Sequence, residues 1–156
     1  MLNRNFSYLI GMIIELIKPE EIDKFIELRQ IFVREYDASA AVLDEQQSKQ
    51  LSDNRSFIAI GATVGFELVG GLAAHIVTNY YKGGNDLFIY DIAIKPEHQK
   101  KGIGNELIKF TKQFCIDHKI KEMYVAVDEN DENGKAYHRK SEGNERASRF
   151  FVYNFE

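Results

Sequence analysis

A single run of residues, from Tyr90 to Gly104, constrains the fold of this chain more than any other segment. The run begins as an apolar strand, stops at Pro96, passes through a short basic turn and enters an amphipathic helix. Such a turn leaves several backbone N–H groups free at a helix N-terminus, where they bind phosphate or pyrophosphate. Gly102 and Gly104 lack a Cβ, so a ligand can approach the backbone closely there. The run therefore predicts a site for an anionic ligand.

Length and charge limit the classes of protein that this sequence can form. With 156 residues the chain suits one domain, 1–156, in which 1–11 is interpreted as an N-terminal extension. The net charge of −4 argues against a nucleic-acid partner, and no apolar run is long enough for a transmembrane helix. The lone Cys115 excludes an internal disulfide and fits a reducing compartment. We therefore expect a cytoplasmic protein without a membrane or nucleic-acid partner.

The spacing of apolar residues predicts a mixed α/β fold with the element order β-α-α-β-β-β-α-β-α-β. Gly65-Phe66 predicts a hairpin turn, and Gly83-Gly84-Asn85 predicts a second turn. The predicted strands are Met12–Ile17, Ser56–Val64, Glu67–Thr78, Leu87–Ile94, Met123–Val127 and Arg149–Phe155, and the predicted helices are Pro19–Tyr36, Asp44–Leu51, Ile103–His118 and a short one through Tyr137.

The spacing Gln99-x-x-Gly102-x-Gly104 is a weak motif by itself, because two glycines before a helix are common. It lacks the glycine spacing and the Lys-Ser/Thr pair of a P-loop, and it lacks the third glycine of the dinucleotide-binding fingerprint. Placed after a strand that ends in Ile94-Lys95-Pro96-Glu97-His98, it resembles the acyl-CoA pyrophosphate loop of the GNAT superfamily of N-acetyltransferases. The resemblance spans about Ile13 to Tyr137.

Within that superfamily the sequence is most similar to the aminoglycoside 3-N-acetyltransferases. The strand Tyr-Asp-hydrophobic-Ala-hydrophobic, which starts at Tyr90, is the segment that points to this narrower group. The other similar segments are Phe57-Ile58-Ala59-Ile60 and Val69-Gly70-Gly71-Leu72-Ala73-Ala74.

This resemblance implies a GNAT fold and acetyl-CoA as the co-substrate. The fold has a central mixed, largely antiparallel sheet that is flanked by helices and splayed at the acyl-CoA site. The pantetheine arm would lie along the last predicted strand before the loop, like an added neighbour. The implied contacts are Ile92, Ala93 and Ile94 for pantetheine, and Gln99, Lys100, Lys101, Gly102, Ile103 and Gly104 for pyrophosphate.

Two residues are implied to take part in acetyl transfer. Asp91 would accept a proton from the substrate amine or hold its ammonium form, because only a neutral amine attacks. A strand carboxylate can instead face solvent, but one inside the apolar run Leu87–Ile94 favours a functional role. Tyr137 would protonate the departing thiolate, with a half-buried structural aromatic as the alternative. After Tyr137 the family's glycine comes two residues late, at Gly143.

An acidic cluster follows the strand predicted at Met123–Val127. Clustered carboxylates would attract a substrate with several ammonium groups, although most charge runs are solvated loops. The implied substrate contacts are Tyr90, Asp91, Asp128, Glu129 and Asp131. The four histidines show no metal-binding spacing, so we expect no metal.

Cys115 lies beside the apolar stripe of the helix predicted from Ile103, so we expect it to be a small buried hydrophobic side chain. Transfer would then be direct, without an acyl-enzyme. We expect an acetyl-CoA-dependent N-acetyltransferase for a small polycation, specifically for the 3-amino group of an aminoglycoside, which would confer antibiotic resistance. A polyamine or protein amine as substrate, or a non-catalytic acyl-CoA-binding module, are the alternatives. A homodimer is left open.

Overall fold

The computed structural model of the protein describes residues 11–36 and 43–155. Contacts within the chain divide it into two compact units, one that ends at Ala126 and one that begins at Val127. The predicted extension lies outside the described residues except for Gly11, which is in a turn. One domain over 1–156 stays a prediction.

The first unit is built on a five-stranded sheet with the order β1-β2-β3-β4-β5. Neighbours from β1 to β4 are antiparallel, and β5 is parallel to β4. This arrangement confirms the predicted mixed, largely antiparallel sheet. The strands are β1 Met12–Leu16, β2 Phe57–Val64, β3 Glu67–Asn79, β4 Gly84–Ile94 and β5 Met123–Val125.

Three helices accompany this sheet, and local sequence explains where each begins or which face it buries. In the first helix, Phe25, Leu28 and Phe32 follow helical spacing and are buried. The second begins at a capping box, in which the Asp44 side chain accepts from the Gln47 N–H and the Gln47 side chain accepts from the Asp44 N–H. The helices are α1 Ile22–Glu35, α2 Glu45–Ser52 and α3 Ile103–Asp117, and a 3₁₀ turn spans Pro96–His98.

The core beneath α1 combines large helix side chains with small strand residues. Phe25 and Leu28 pack toward the sheet, where Ala59, Ala73 and Ala93 are buried in the same cluster. Small residues at these strand positions let the helix approach the sheet closely. The C-terminal end of α1 lies beside the C-terminal half of β4, because the Tyr36 hydroxyl donates to the Ile92 carbonyl.

The second unit contains α4, Glu132–Lys140, and a C-terminal segment without regular secondary structure. Asp131 caps α4 by accepting a hydrogen bond from the Gly134 N–H at 2.9 Å. The predicted short helix is therefore confirmed and extends beyond Tyr137.

The strand predicted at Arg149–Phe155 is wrong, because residues 144–155 form neither helix nor strand. Its large side chains are exposed, with Phe155 at 90%. Strand preference of aromatic and β-branched residues reflects packing on neighbouring strands, and this segment has no such neighbour within its unit. The predicted strand Met123–Val127 is also too long by two residues, since its pairing with β4 ends at Val125.

Within residues 11–36 and 43–155, no helix is both long enough and apolar enough to cross a membrane.

We expect Gly71→Ala to destabilise the protein by about 1–3 kcal/mol, the usual cost of overpacking a core. A Cβ at Gly71 would lie 2.3 Å from the Ile60 carbonyl oxygen and 2.6 Å from Leu28 Cδ1, so backbone must move. Urea unfolding measures the change. Gly61→Ala is the matched control, because its Cβ would meet only side chains, the nearest atom being Leu68 Cδ1 at 3.1 Å. Equal losses in the two variants would contradict this account.

Candidate active site

The sheet opens between β4 and β5 at the predicted acyl-CoA site. The parallel pairing joins Leu87–Ile89 to β5 and ends at Ile89 and Val125. Strand β4 continues to Ile94, so its last five residues have no partner on the β5 side within the sheet. An unpaired strand edge presents N–H and C=O groups that can pair with an added extended group. The splayed sheet that the resemblance implied is present.

A β-bulge at Tyr90 reshapes β4 at the point where the sheet opens. Ala73 pairs with Asp91 and Ala74 pairs with Ile89, so Tyr90 is the extra residue of β4. A bulge bends its strand and redirects nearby side chains, and such bulges are frequent beside active sites. The side chain of Tyr90 is 67% exposed. The bulge comes directly after the last residue paired with β5, so Tyr90 and Asp91 lie at the start of the unpaired edge.

Two side chains hydrogen-bond to backbone groups on this free edge. The Tyr36 hydroxyl donates to the Ile92 carbonyl at 2.8 Å, and it also accepts from the Ile92 N–H at 3.4 Å. Gln99 Nε2 donates to the Ile94 carbonyl at 2.9 Å and to Glu35 Oε2 at 3.1 Å. Backbone groups alternate in direction along a strand, so those of Ala93 point toward β3. Of the three predicted pantetheine partners, Ile92 and Ile94 thus face the edge.

The loop after β4 has the backbone geometry of an anion-binding turn. Lys100 and Gly102 have positive φ values of 57° and 90°, and Gly102 is the N-cap of α3 without a side-chain cap. Lys101 Nζ donates to the Glu97 carbonyl at 2.7 Å and so braces the loop. The first N–H groups of a 15-residue helix carry positive partial charge. This geometry suits a pyrophosphate, and the contacts that the resemblance implied stay a prediction.

Asp91 is partly buried and lies at the border of the hydrophobic cluster that packs beneath α1. It lies opposite Ala73, which is buried beneath α1, so its side chain is on the α1 face of the sheet. Burial raises the pKa of Asp91 above its ordinary value, because a buried carboxylate loses hydration. A carboxylate with a raised pKa accepts a proton more readily. This environment suits the predicted base.

A row of aromatic rings lies on the face of the sheet that packs against α1, and it begins at Phe57, at the border of the α1 cluster. Phe57 contacts His75 at a centroid distance of 5.2 Å, and His75 contacts Tyr90 at 6.1 Å. Phe88 contacts Tyr90 at 5.9 Å and Tyr124 at 5.3 Å. Tyr124 is 44% exposed. Tyr90, the residue before Asp91, belongs to this row, and aromatic rings can bind an ammonium group.

Cys115 is buried in α3, as expected. Burial raises the pKa of its thiol to about 11, because the thiolate would lose hydration. The thiol is therefore protonated at neutral pH, which argues against a covalent acyl-enzyme at this residue.

Glu67, Glu97 and His98 bring three potential metal-ligating atoms within 4.8 Å of one another. Lys95 Nζ lies 2.8 Å from Glu67 Oε1, and this hydrogen bond and charge lower the pKa of Glu67. The lysine already neutralises much of the charge that a cation would need. The expected absence of a metal stays a prediction.

In the second unit, two of the predicted substrate-binding acids have local structural partners. Asp128 Oδ1 accepts from the Asn130 N–H at 2.8 Å, and Asp131 caps α4. Glu129 is exposed, and its carbonyl oxygen accepts from Lys135 Nζ at 2.7 Å. These contacts explain Asp128 and Asp131 without a ligand, so the substrate role of all three acids stays a prediction.

Tyr137 is on α4 and is partly buried. Burial raises the pKa of its phenol, and an interaction with the Ser141 side chain offsets part of this rise. The phenol keeps its proton at neutral pH but becomes a weaker acid. Its role as a proton donor stays a prediction.

Sequence reasoning missed Tyr36, Phe88 and Tyr124 as residues of this site. The alternation of Phe88 with Tyr90 on one strand was a signal for a shared face. No local pattern marks Tyr36, because its contact with Ile92 joins residues that are 56 positions apart.

Comparison with known proteins identifies the family to which this chain belongs. The acetyltransferase (GNAT) family model matches residues 22–143. The chain is similar to the aminoglycoside acetyltransferase meta-AAC0020 from an uncultured soil metagenomic sample, which has been solved in complex with trehalose and with sisomicin. Its sequence is 26% identical to that of this chain, and the TM-score is 0.91 for both structures. The match covers 94% of this chain and 98% of the other. No curated protein matches the sequence.

Two further solved structures share the fold at lower identity. The aminoglycoside acetyltransferase HMB0005, from an uncultured soil metagenomic sample, is 23% identical, with a TM-score of 0.85 over 92% of this chain and 99% of that one. AAC(6')-Iy in complex with the bisubstrate analog CoA-S-monomethyl-acetylneamine is 16% identical, with a TM-score of 0.74 over 93% and 98%.

The expected GNAT fold is confirmed, and a family model that spans most of the chain settles its membership. This protein belongs to the GNAT acetyltransferase family.

Proposed function

We propose that this protein transfers an acetyl group from acetyl-CoA to a primary amine of a small polycation, and that the substrate is an amino sugar of the aminoglycoside class. One observation carries the proposal: the bulge at Tyr90 sets Asp91 beside an unpaired strand edge that leads directly into the loop at the start of α3. The GNAT family generally uses acetyl-CoA. The unpaired edge and the loop have groups that suit its pantetheine arm and its pyrophosphate, which supports the use of acetyl-CoA by this protein.

Acetyl-CoA, when bound, supplies an acetyl group activated as a thioester. The edge groups of Ile92 and Ile94 would hold the pantetheine arm, and the loop Gln99–Gly104 would hold the pyrophosphate. Asp91 would take a proton from the substrate ammonium, directly or through water, so that a neutral amine can attack. Tyr137 is the proposed proton donor to the departing thiolate.

Support for an amino sugar comes from the aromatic row and from the relatives. Tyr90, which precedes Asp91 in β4, and Tyr124 are exposed aromatic residues linked through Phe88, and aromatic rings attract cations through the ring quadrupole. A carboxylate next to aromatic faces suits a cationic, ring-shaped substrate. The relative at 26% identity is an aminoglycoside acetyltransferase that has been solved with sisomicin. Acetylation of the 3-amino group is the specific form of this proposal.

A panel of acceptors with acetyl-CoA tests the proposal by release of the CoA thiol. Turnover with aminoglycosides, and a product acetylated at the 3-amino group by NMR, is the expected result. Turnover only with spermidine or peptides would replace the substrate class but keep the chemistry. Binding of acetyl-CoA without turnover on any amine would contradict the enzyme proposal and favour a binding module.

Asp91→Asn should lower kcat by about 10²–10⁴-fold, the usual contribution of a general base, while the Kd for acetyl-CoA stays within about twofold. Since burial raises the pKa of Asp91 above 3.8, activity of the wild type should fall as pH drops through that raised pKa. The acid limb should disappear in the variant. Steady-state kinetics across pH and calorimetry measure these effects.

Asp117→Asn is the matched control, because this exposed aspartate at the end of α3 hydrogen-bonds only to Gln113 among the described contacts of its side chain. A wild-type kcat in Asp91→Asn would remove Asp91 from the mechanism.

Gly102→Ala should raise the KM for acetyl-CoA about tenfold, because a φ of 90° strains an alanine and shifts the N–H groups at the start of α3. S-acetylpantetheine lacks the pyrophosphate, so its KM should change much less. Gly83→Ala is the matched control: it has a φ of 60° in the turn before β4 and should cost stability alone. An equal effect on both donors would argue against a pyrophosphate site in this loop.

A further inference from the structure

The edge of β4 that has no neighbouring strand is hydrogen-bonded to the C-terminal end of α1. Tyr36, the C-cap residue of α1, places its hydroxyl 2.8 Å from the Ile92 carbonyl oxygen and 3.4 Å from the Ile92 nitrogen. Next along the edge, Gln99 Nε2 bridges the Ile94 carbonyl and Glu35. Two successive edge positions are therefore bonded to side chains of α1 or of the loop that follows β4.

The contact has a clear physical cause. Strand β5 stops at the level of Ile89, so the edge groups beyond it have no strand partner. Backbone groups at such an edge otherwise bond to water, and a nearby hydroxyl that can both donate and accept can replace that water. Tyr36 does both with Ile92, which makes it a substitute for the missing strand at that position.

We propose that Tyr36 is a residue that sets the affinity for the cofactor by competing for the Ile92 backbone. This inference rests on the proposed function, in which the pantetheine arm pairs with the same strand edge. The Ile92 N–H can serve one strong acceptor, and an aromatic side chain at hydrogen-bond distance fills the space in which an added strand would lie. Pantetheine and the Tyr36 hydroxyl therefore exclude each other at Ile92.

A thermodynamic consequence separates competition from a structural role. If the Tyr36 hydroxyl bonds to Ile92 only in the cofactor-free protein, its removal destabilises that state and leaves the bound state unchanged. By linkage, the affinity for acetyl-CoA must rise by the same factor. A purely structural role would destabilise both states and leave the affinity unchanged or lower.

The test compares Tyr36→Phe with the wild type in the absence of any acceptor amine. Calorimetry should show acetyl-CoA binding about two- to tenfold tighter in the variant, the range expected for one net hydrogen bond. Thermal unfolding should show a lower midpoint for the cofactor-free variant, and saturating acetyl-CoA should abolish that difference. Tyr81→Phe is the matched control, since it removes a hydroxyl from a residue that is 87% exposed in the turn between β3 and β4.

Each outcome decides one point. Acetyl-CoA binding that is unchanged or weaker in Tyr36→Phe than in the wild type overturns the inference and leaves the proposed function standing. No binding to the wild type removes the proposed function and the inference with it. If Tyr36→Phe does not fold, the assigned ring resonance of Tyr36 in the wild type decides. It should shift on addition of acetyl-CoA, and an unchanged resonance overturns the competition.

Discussion

The early end of β5 is the constraint on which the candidate site depends. Pairing with β4 stops at Ile89, while β4 continues to Ile94 and carries hydrogen-bonding groups along an edge that has no strand beside it. Such groups bond to water unless another partner replaces it. Here the side chains of Tyr36 and Gln99 bond to Ile92 and Ile94, and the amide groups of an extended cofactor arm would pair with the same edge.

The packing of α1 gives that edge its surroundings. Small residues in the central strands let the helix lie close to the sheet, and Gly71 has no space for a Cβ between the Ile60 carbonyl and Leu28. The helix covers the face that contains Ala73 and Ala93 and ends at Tyr36. Its end therefore lies where the cover stops, and one packing arrangement provides both the buried side of Asp91 and the hydroxyl on Ile92.

Two different interactions thus meet at the bulge in β4. On the face of the sheet, Asp91 follows a residue of the aromatic row, and in the proposed function both would bind a cationic amine. Along the edge, the backbone groups of Ile92 and Ile94 would pair with the pantetheine arm. Tyr90 is the extra residue that bends the strand between these two sets of groups. Asp128 and Asp131 of the second unit have local partners in a turn and a helix cap, so their positions are explained without a substrate.

Most of the element order, and the loop Gln99–Gly104 at the start of α3, could be predicted from the residues alone. Apolar periodicity located α1, α3 and the strands β2 to β4, because helix and strand spacing are local properties of the chain. It failed for Arg149–Phe155, where strand-like composition has no neighbouring strand in its unit, since a strand exists only with a partner. Three features are visible only in the folded chain: the unpaired edge of β4, the bulge at Tyr90, and the hydrogen bond from Tyr36 to Ile92. Each of these depends on register and packing between distant segments, which no local pattern encodes.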